Sequence, residues 1–287
     1  MKYLLGLNSE QIAKPLSFLS EGLGVGMIRA EYLCINRQAY FLDPEFNDYV
    51  VKYCIDTANA FAGEEVWYRS ADLVCHHINA LKGADVLFEE RNYIMGLRGV
   101  RRNIRFRATF EKELANIIQA RESVDNLHLL LPFISTLDEL DIVFDILAKL
   151  KYDGKVGVMA EIPSIIFQLP EALKYYNISR VVVGLNDLSS FVLGAARELE
   201  AHNMTHPTVV GMVKMARGSC AEANTSLMLA GYLNRDVAAV YEREGFEYMI
   251  VHYHLLPDFF EVENGEVYTR HYTTINDNFS SKRRSIK

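Results

Sequence analysis

This sequence predicts an α/β fold closed into a (β/α)8 barrel, and three observations carry the prediction. Apolar, β-branched runs alternate with helical patterns along the chain, without Pro/Gly/Ser-rich linkers or low-complexity stretches, as βα repeats require. The length, 287 residues, is close to the ~250 of an eightfold βα repeat. Two of the apolar runs, GVMAEIPS at 157–164 and VVVGLNDLSS at 181–190, end abruptly in Glu161 and in Asn186 and Asp187. A parallel strand buried on both faces reads as a continuous apolar run, so charge at its C-terminal end needs a partner. Consecutive barrel strands end side by side, which lets Glu161 and Asp187 share one divalent cation. Oxygen-only ligation suits Mg²⁺ or Mn²⁺ rather than Zn²⁺. The competing reading pairs Glu161 with an arginine and makes Asp187 the cap of a helix starting near Leu188.

Taken in order, the chain opens with a short apolar piece, LLGL at 4–7, and an amphipathic run closing at Gly22. The first clear strand is LGVGMIRA at 23–30, ending in Arg29 beside Glu31. Asp43-Pro44, an N-cap followed by a first-turn proline, opens a helix that runs to Ala62. The strand EVWYRSAD at 65–72 ends in Arg69 and Asp72, and a loop with Cys75, His76 and His77 follows. NYIMGLRGVRR at 92–102 supplies a further strand near 94–98, and a basic helix spans about 103–122. After the apolar strand LHLLLPFI at 127–134, Ser135-Thr136 with Glu139 resembles a capping box for a helix over 137–150. A helix at roughly 165–175 separates the two strands of the opening, and another starts near 207 after His206-Pro207. GSCAE around 218–222 and FEYMIVHY at 246–253 complete a count of eight strands, with a helix-length insertion at 230–244 on the rim. One domain over 1–260 precedes a polar tail, 261–287, that ends in KRRSIK and is expected to be partly mobile.

Half of the residues are hydrophobic and 23% are charged, so a large core can form. A net charge of −7 argues against a nucleic-acid partner and leaves open a small anion held by local arginines. The four cysteines, Cys34, Cys54, Cys75 and Cys220, are scattered without a CxxC pair, which fits a reducing cytosol rather than a disulfide or zinc framework. The N-terminus MKYLLGLNSEQ does not read as a signal peptide, and no apolar run is long enough to span a membrane. The expectation is a cytoplasmic protein without membrane contact.

The polar residues at the predicted strand ends form a chemical set. Arg29, Arg69, Arg98 and Arg197 offer planar forks matched to carboxylate and phosphate oxygens, so their convergence implies a multiply charged small anion. Glu161 and Asp187 offer a cation that neutralises and polarises it, and the Cys220 thiol offers a proton. Against this, Arg98, Arg101 and Arg102 could form a solvated helix face, although Gly96 and Gly99 make a poor plain helix. A free cysteine is most often a small buried hydrophobe. His252 and His254 alternate on a strand, but two histidines without a third ligand read as ordinary.

The segments GVGMIRAEYL (24–33), IMGLRGVRR (94–102), GVMAEIPS (157–164), VVVGLNDLS (181–189) and GSCAE (218–222) together resemble the barrel domain of the phosphoenolpyruvate-utilising enzymes. That family comprises phosphoenolpyruvate synthase, pyruvate phosphate dikinase and the phosphoenolpyruvate–protein phosphotransferase. The resemblance runs in order over roughly residues 20–255 and implies a phosphoenolpyruvate/pyruvate-binding barrel. It places Arg29 of RAEY on the phosphoryl group, Arg69 in the next motif, Arg98 in GLRGVR as a catalytic arginine, and Arg197 after GLNDL. It makes Glu161 and Asp187 the Mg²⁺ (or Mn²⁺) ligands, puts Asn186 on phosphate, and makes Cys220 of CAE the acid–base at the enolate carbon. Where the family has a Gly-Gly-Asp-Lys type sequence, this chain has Val74-Cys75-His76-His77, and Ala221 stands in place of the glycine of CGE.

The resemblance further implies a Mg²⁺-dependent phosphotransferase. It would exchange phosphate between phosphoenolpyruvate and a histidine on a separate partner, since no Thr-Ser-His-like segment precedes the barrel. The alternatives are a Mg²⁺-dependent lyase acting on phosphoenolpyruvate or a 2-oxo acid, and a non-catalytic phosphoenolpyruvate-binding module. A homodimer is expected by family analogy.

Overall fold

Eight short apolar segments pair edge to edge in the computed structural model, which describes residues 1–7, 24–85, 89–90, 92, 95–252, 255 and 259. They are β1 (Lys2–Leu7), β2 (Val25–Arg29), β3 (Val66–Arg69), β4 (Leu127–Leu131), β5 (Val156–Met159), β6 (Ile178–Gly184), β7 (Ser226–Ala230) and β8 (Tyr248–His252). All pairings are parallel and follow sequence order, and β8 pairs with β1 to close the barrel. Alternation along each strand divides the core in two. Each strand sends at least one residue inward, from Leu4 on β1 and Trp67 on β3 to Ile250 on β8. The intervening residues, such as Leu5, Tyr68 and Val183, pack outward against the helices. At roughly 1.5–3 kcal/mol for each large apolar side chain fully buried, the two layers supply the main stabilising contribution.

The connecting helices follow local signals. Among the described residues these are α1 (Ala30–Arg37), α2 (Pro44–Ala60), α3 (Cys75–Ile78), α4 (Gly99–Arg105) and α5 (Arg107–Arg121). Then come α6 (Leu137–Lys149), α7 (Pro163–Tyr175), α8 (Leu185–Leu193), α9 (Pro207–Glu222) and α10 (Arg235–Arg243). Asp43 caps α2 as expected, its Oδ1 accepting the Glu45 N–H at 3.1 Å. The capping box at α6 is displaced by one residue: Glu139 accepts from the Ser135 N–H at 2.7 Å, and Thr136 makes no side-chain cap bond.

The predicted count of eight strands is correct, but two members of the set are not. The segment near 94–98 is no strand: residues 95–97 bend and α4 begins at Gly99, while Tyr93 and Ile94 lie outside the described residues. GSCAE at 218–222 is the last turn of α9, not a strand. The two strands that take their places are β1 and β7. The segment 230–244 is not a rim insertion either, because α10 within it is the helix joining β7 to β8. The amphipathic run after Leu7 and the tail 261–287 lie outside the described residues.

Candidate active site at the C-terminal ends of the strands

The inward alternation that buries Leu4, Met27, Trp67, Met159, Val182 and Ile250 places a second inward layer two residues further on. That layer holds Gly6, Arg29, Arg69, Glu161, Gly184 and His252, all lining one cavity of about 1020 Å³ at the C-terminal mouth of the barrel. Loops after the strands add Asp72, Arg98 and Arg197 to the same wall, and the first turn of α8 adds Asn186 and Asp187. Seven of the eight expected site residues therefore meet: Arg29, Arg69, Arg98, Arg197, Asn186, Glu161 and Asp187.

Cys220 does not join them. Helix α9 returns antiparallel to the strands, so its last turn lies at the opposite end of the barrel. There the Cys220 carbonyl accepts from the Thr225 N–H at 2.8 Å, one residue before β7 begins. The side chain is buried in the core behind the strands, and burial pushes the thiol up to about 12. A neutral thiol in apolar packing is the ordinary state of a structural cysteine. The expected acid–base role of Cys220 is thus overturned by its position. The strand end that does reach the cavity at this point is that of β7, which contributes Ala230, Gly231 and Tyr232.

Each arginine of the site has a carboxylate partner. Arg29 Nε donates to Glu31 Oε1 at 2.8 Å, and the buried Arg69 donates to the same oxygen. Arg98 donates through Nε and a terminal nitrogen to the two oxygens of Asp72 at 3.0 and 2.7 Å, and a further contact reaches Asp187 at 3.3 Å. Arg197 donates to Asp187 at 2.8 Å. Burial pushes the Asp72 carboxyl up, but Arg98, with Arg69 and Arg29, outweighs it and holds the group below the ordinary carboxylate range. Four guanidinium groups thus face four carboxylates: Glu31, Asp72, Glu161 and Asp187.

Glycine geometry sets two of these positions. Gly99 follows Arg98 with φ +54 and lies against the Pro132–Phe133 backbone, where a Cβ would meet the Pro132 carbonyl at 2.8 Å. This brings the Arg98 guanidinium over the Phe133 ring, 4.2 Å from its centroid. At Gly184 a Cβ would overlap the Glu161 carboxylate, so the missing side chain makes the room that Glu161 occupies.

Glu161 is 1% exposed and accepts the Phe133 N–H at 2.8 Å. Burial, then the nearby Asp187 and Asp72, raise its pKa well above the carboxylate range despite Arg69 and Arg98. Among the described residues no three His, Cys, Asp or Glu side chains form a metal cage. Two buried carboxylates that repel each other nonetheless form an all-oxygen donor set of the kind Mg²⁺ takes when a ligand and water supply the rest. The residues present fit such an ion.

Some contributors were missed in the sequence. Glu31 and Asp72 were visible, two and three residues after Arg29 and Arg69, as charges that any strand-end arginine would need. Glu113 on α5 gave no signal. It is 1% exposed, and one carboxylate oxygen accepts both the Tyr68 hydroxyl at 3.0 Å and the Ala71 N–H at 2.7 Å. It thereby fixes the turn that presents Asp72. Burial pushes it up to about 8 against those two hydrogen bonds. His202 gave none either; its Nε2 lies 2.9 Å from the Asn186 carbonyl oxygen.

Residues 5–241 match the family model described as PEP-utilising enzyme, PEP-binding domain, PEP being phosphoenolpyruvate. Among curated proteins the chain is 25% identical over 232 residues to a probable phosphoenolpyruvate synthase of Pyrococcus horikoshii, covering 74% of this chain and 28% of that protein. It is 26% identical over 246 residues to its counterpart in Archaeoglobus fulgidus, covering 79% and 32%. A phosphoenolpyruvate-dependent phosphotransferase system protein of Escherichia coli is 25% identical over 166 residues, covering 53% and 22%. The chain thus spans about a third or less of the length of these relatives. Among solved structures, an HpcH/HpaI aldolase/citrate lyase family protein from Burkholderia cenocepacia superposes with a TM-score of 0.54 at 13% identity, covering 98% of this chain and 94% of that one. The citrate synthase SbnG does so with 0.53 at 12%, covering 100% and 95%. At that identity the likeness is one of fold.

Proposed function

Since the chain belongs to the PEP-utilising enzymes through their PEP-binding domain, we propose that its cavity binds phosphoenolpyruvate and pyruvate with Mg²⁺ held by Glu161 and Asp187. The observation that carries this is the convergence of Arg29, Arg69, Arg98 and Arg197 with those two carboxylates and Asn186 in one cavity. Glu31, Asp72 and Asp187, each paired to an arginine, already offset most of the arginine charge, so a multiply charged anion gains from a cation beside it. Bound there, Mg²⁺ would act as a Lewis acid toward the phosphate and enolate oxygens. Arg29, Arg69 and Arg98 orient the anion and stabilise charge developing on its oxygens, as preorganised donors do. Their carboxylate partners hold them in place before the ligand arrives.

In this reading the protein is a phosphotransferase that exchanges the phosphoryl group between phosphoenolpyruvate and a histidine on a separate carrier. The relatives' names support the substrate class. A homodimer is carried over from the family resemblance, and a cytoplasmic location from the scattered, unpaired pattern of cysteines in the sequence. No described helix is long and apolar enough to cross a membrane.

Isothermal titration with phosphoenolpyruvate, with and without Mg²⁺, tests the proposal. Wild type is expected to bind in the presence of Mg²⁺, and Glu161→Ala to lose that binding while remaining folded. Folded wild-type protein giving no heat at millimolar ligand with Mg²⁺ would refute it. A second reading, a Mg²⁺-dependent lyase acting on a 2-oxo acid, is favoured by the cavity volume. About 1020 Å³ lies at the upper end of the range that encloses drug-sized ligands and leaves space beside a three-carbon acid.

A further inference from the structure

A phosphotransferase needs a group that accepts the phosphoryl, and the charge along the cavity wall indicates where that phosphoryl sits. Arg29 and Arg69 are register partners at the ends of the adjacent strands β2 and β3, and they share one carboxylate, Glu31. Arg98 and Arg197 meet two, Asp72 and Asp187, and Glu161 acts on Arg98 as well. Asp72 also lies 4.0 Å from Arg69, but both of its oxygens are bonded to Arg98. Positive charge is therefore in surplus on the β2–β3 side. That side draws the phosphate, the more highly charged end of phosphoenolpyruvate.

The segment that leaves β3 on this side is anchored and carries two imidazoles. Leu73, Cys75 and Ile78 are buried, and the Cys75 thiol donates to the Leu97 carbonyl at 3.6 Å. The His77 and Asn79 N–H groups close the turn onto the carbonyls of Val74 and Cys75, at 3.0 and 2.9 Å. With that face packed, His76 and His77 are exposed on the other, where both line the cavity and their rings meet edge to face at 4.2 Å. Partial burial, and then His76, lower the pKa of His77, so its ring is mostly neutral near pH 7 and offers a lone pair. Other wall groups able to take a phosphoryl group stand apart from this side. Glu161 follows β5, 1% exposed and bonded to the Phe133 N–H. Glu198 and Tyr232 follow β6 and β7, and His252 ends β8, with β1 between it and β2. Tyr32 is on the β2 side, with its ring against the Arg29 guanidinium and its hydroxyl 3.4 Å from it.

We propose that this chain carries its own phosphoryl acceptor, the His77 imidazole beside His76, a proposal that rests on the phosphoenolpyruvate/pyruvate reading of the cavity. The unprotonated ring nitrogen of His77 attacks phosphorus. The P–N bond forms as the P–O bond to the enol oxygen breaks, and that oxygen keeps the electron pair. The enolate takes a proton from solvent at C3 to give pyruvate. In reverse, C3 of pyruvate loses a proton to solvent, and the enolate oxygen takes the phosphoryl group back. Exchange with a separate carrier then runs through this intermediate. Histidine serves as a covalent nucleophile, and phosphoryl transfer asks of a protein mainly positioning and charge, which the packed turn and the Arg29–Arg69 pair supply.

The test uses phosphoenolpyruvate radiolabelled in the phosphoryl group, with Mg²⁺ and no carrier, beside calorimetric titration with the unlabelled ligand. Wild type is expected to take up label in a bond that acid breaks and alkali spares, as in phosphohistidine. A phosphotyrosine would survive the acid, and an acyl phosphate would not survive the alkali. Mass spectrometry is expected to place the group on His77, and excess pyruvate to discharge it. His77→Asn and His77→Gln are expected to lose labelling while their phosphoenolpyruvate affinity stays within about threefold of wild type, below one decade in Kd. Three results overturn the proposal and leave the binding reading intact: wild type that binds phosphoenolpyruvate without taking label, label that persists in both variants, or label placed on another residue. Loss of phosphoenolpyruvate binding in both variants together with labelling marks His77 as structural and also overturns it. Absence of all ligand binding by wild type overturns both.

Discussion

Replacing Glu113 by Gln should remove a pH dependence of stability that the wild-type fold carries. The Glu113 carboxyl is enclosed between α5 and β3, and burial raises its pKa from the ordinary 4.5 to about 8 in the folded state. Both hydrogen bonds it receives, from the Tyr68 hydroxyl and the Ala71 N–H, go to the same oxygen, which leaves the other oxygen to carry the proton. Between those two pKa values the native state binds a proton that the unfolded state has released. Stability from this group is therefore fully present below about pH 4.5 and is lost as pH rises through 8. At 1.36 kcal/mol per pH unit the full loss is on the order of 5 kcal/mol, with roughly 3 kcal/mol of it gone by pH 7. Glutamine keeps an oxygen for both donors and does not titrate. The assay is urea unfolding by circular dichroism at pH 5, 7 and 9 for both proteins, with the difference taken so that shared titrations cancel. The variant should gain on wild type by several kcal/mol from pH 5 to pH 9. Parallel profiles over that range would refute the reasoning and mean that Glu113 is ionised in the native fold.

Two further outcomes follow from the site geometry. Gly184→Ala places a methyl group into the Glu161 carboxylate at a backbone φ of −84, so the cost is steric rather than conformational. It should be roughly 1–3 kcal/mol by urea unfolding, as for an overpacked core, and Mg²⁺-dependent phosphoenolpyruvate binding should weaken about tenfold or more as Glu161 is displaced. Arg98→Met leaves Asp72, whose side chain is 3% exposed, buried without its main partner, and should destabilise by about 3–5 kcal/mol. Adding Asp72→Asn should restore part of that stability but none of the phosphoenolpyruvate affinity; full additivity of the two substitutions would show that the pair is not coupled.

Much of the barrel and most of the site were legible in the sequence because both depend on local signals. An apolar run that ends in charge marks a strand and its functional end at once, as at Arg29, Arg69 and Glu161. That same signal failed where no charge was present. β1, legible only as the short apolar piece LLGL, ends in Gly6-Leu7, and β7 ends at Ala230, so neither strand carries a terminal charge to mark it. GSCAE and the arginine-bearing segment near 98 carried cavity-type residues and were read as strands instead. Cys220 shows the limit most clearly: its neighbours in sequence suit a strand end, yet α9 carries it to the opposite end of the barrel. Sequence by itself determined the repeat, the family and which charged residues belong at strand ends, since these depend on residue order and alternation. Only the tertiary structure decided which strand ends meet, that each arginine already has a carboxylate, and that Cys220 does not face the cavity. Those facts depend on register around a closed sheet, where the neighbours of β8 are β7 beside it and β1 from the other end of the chain.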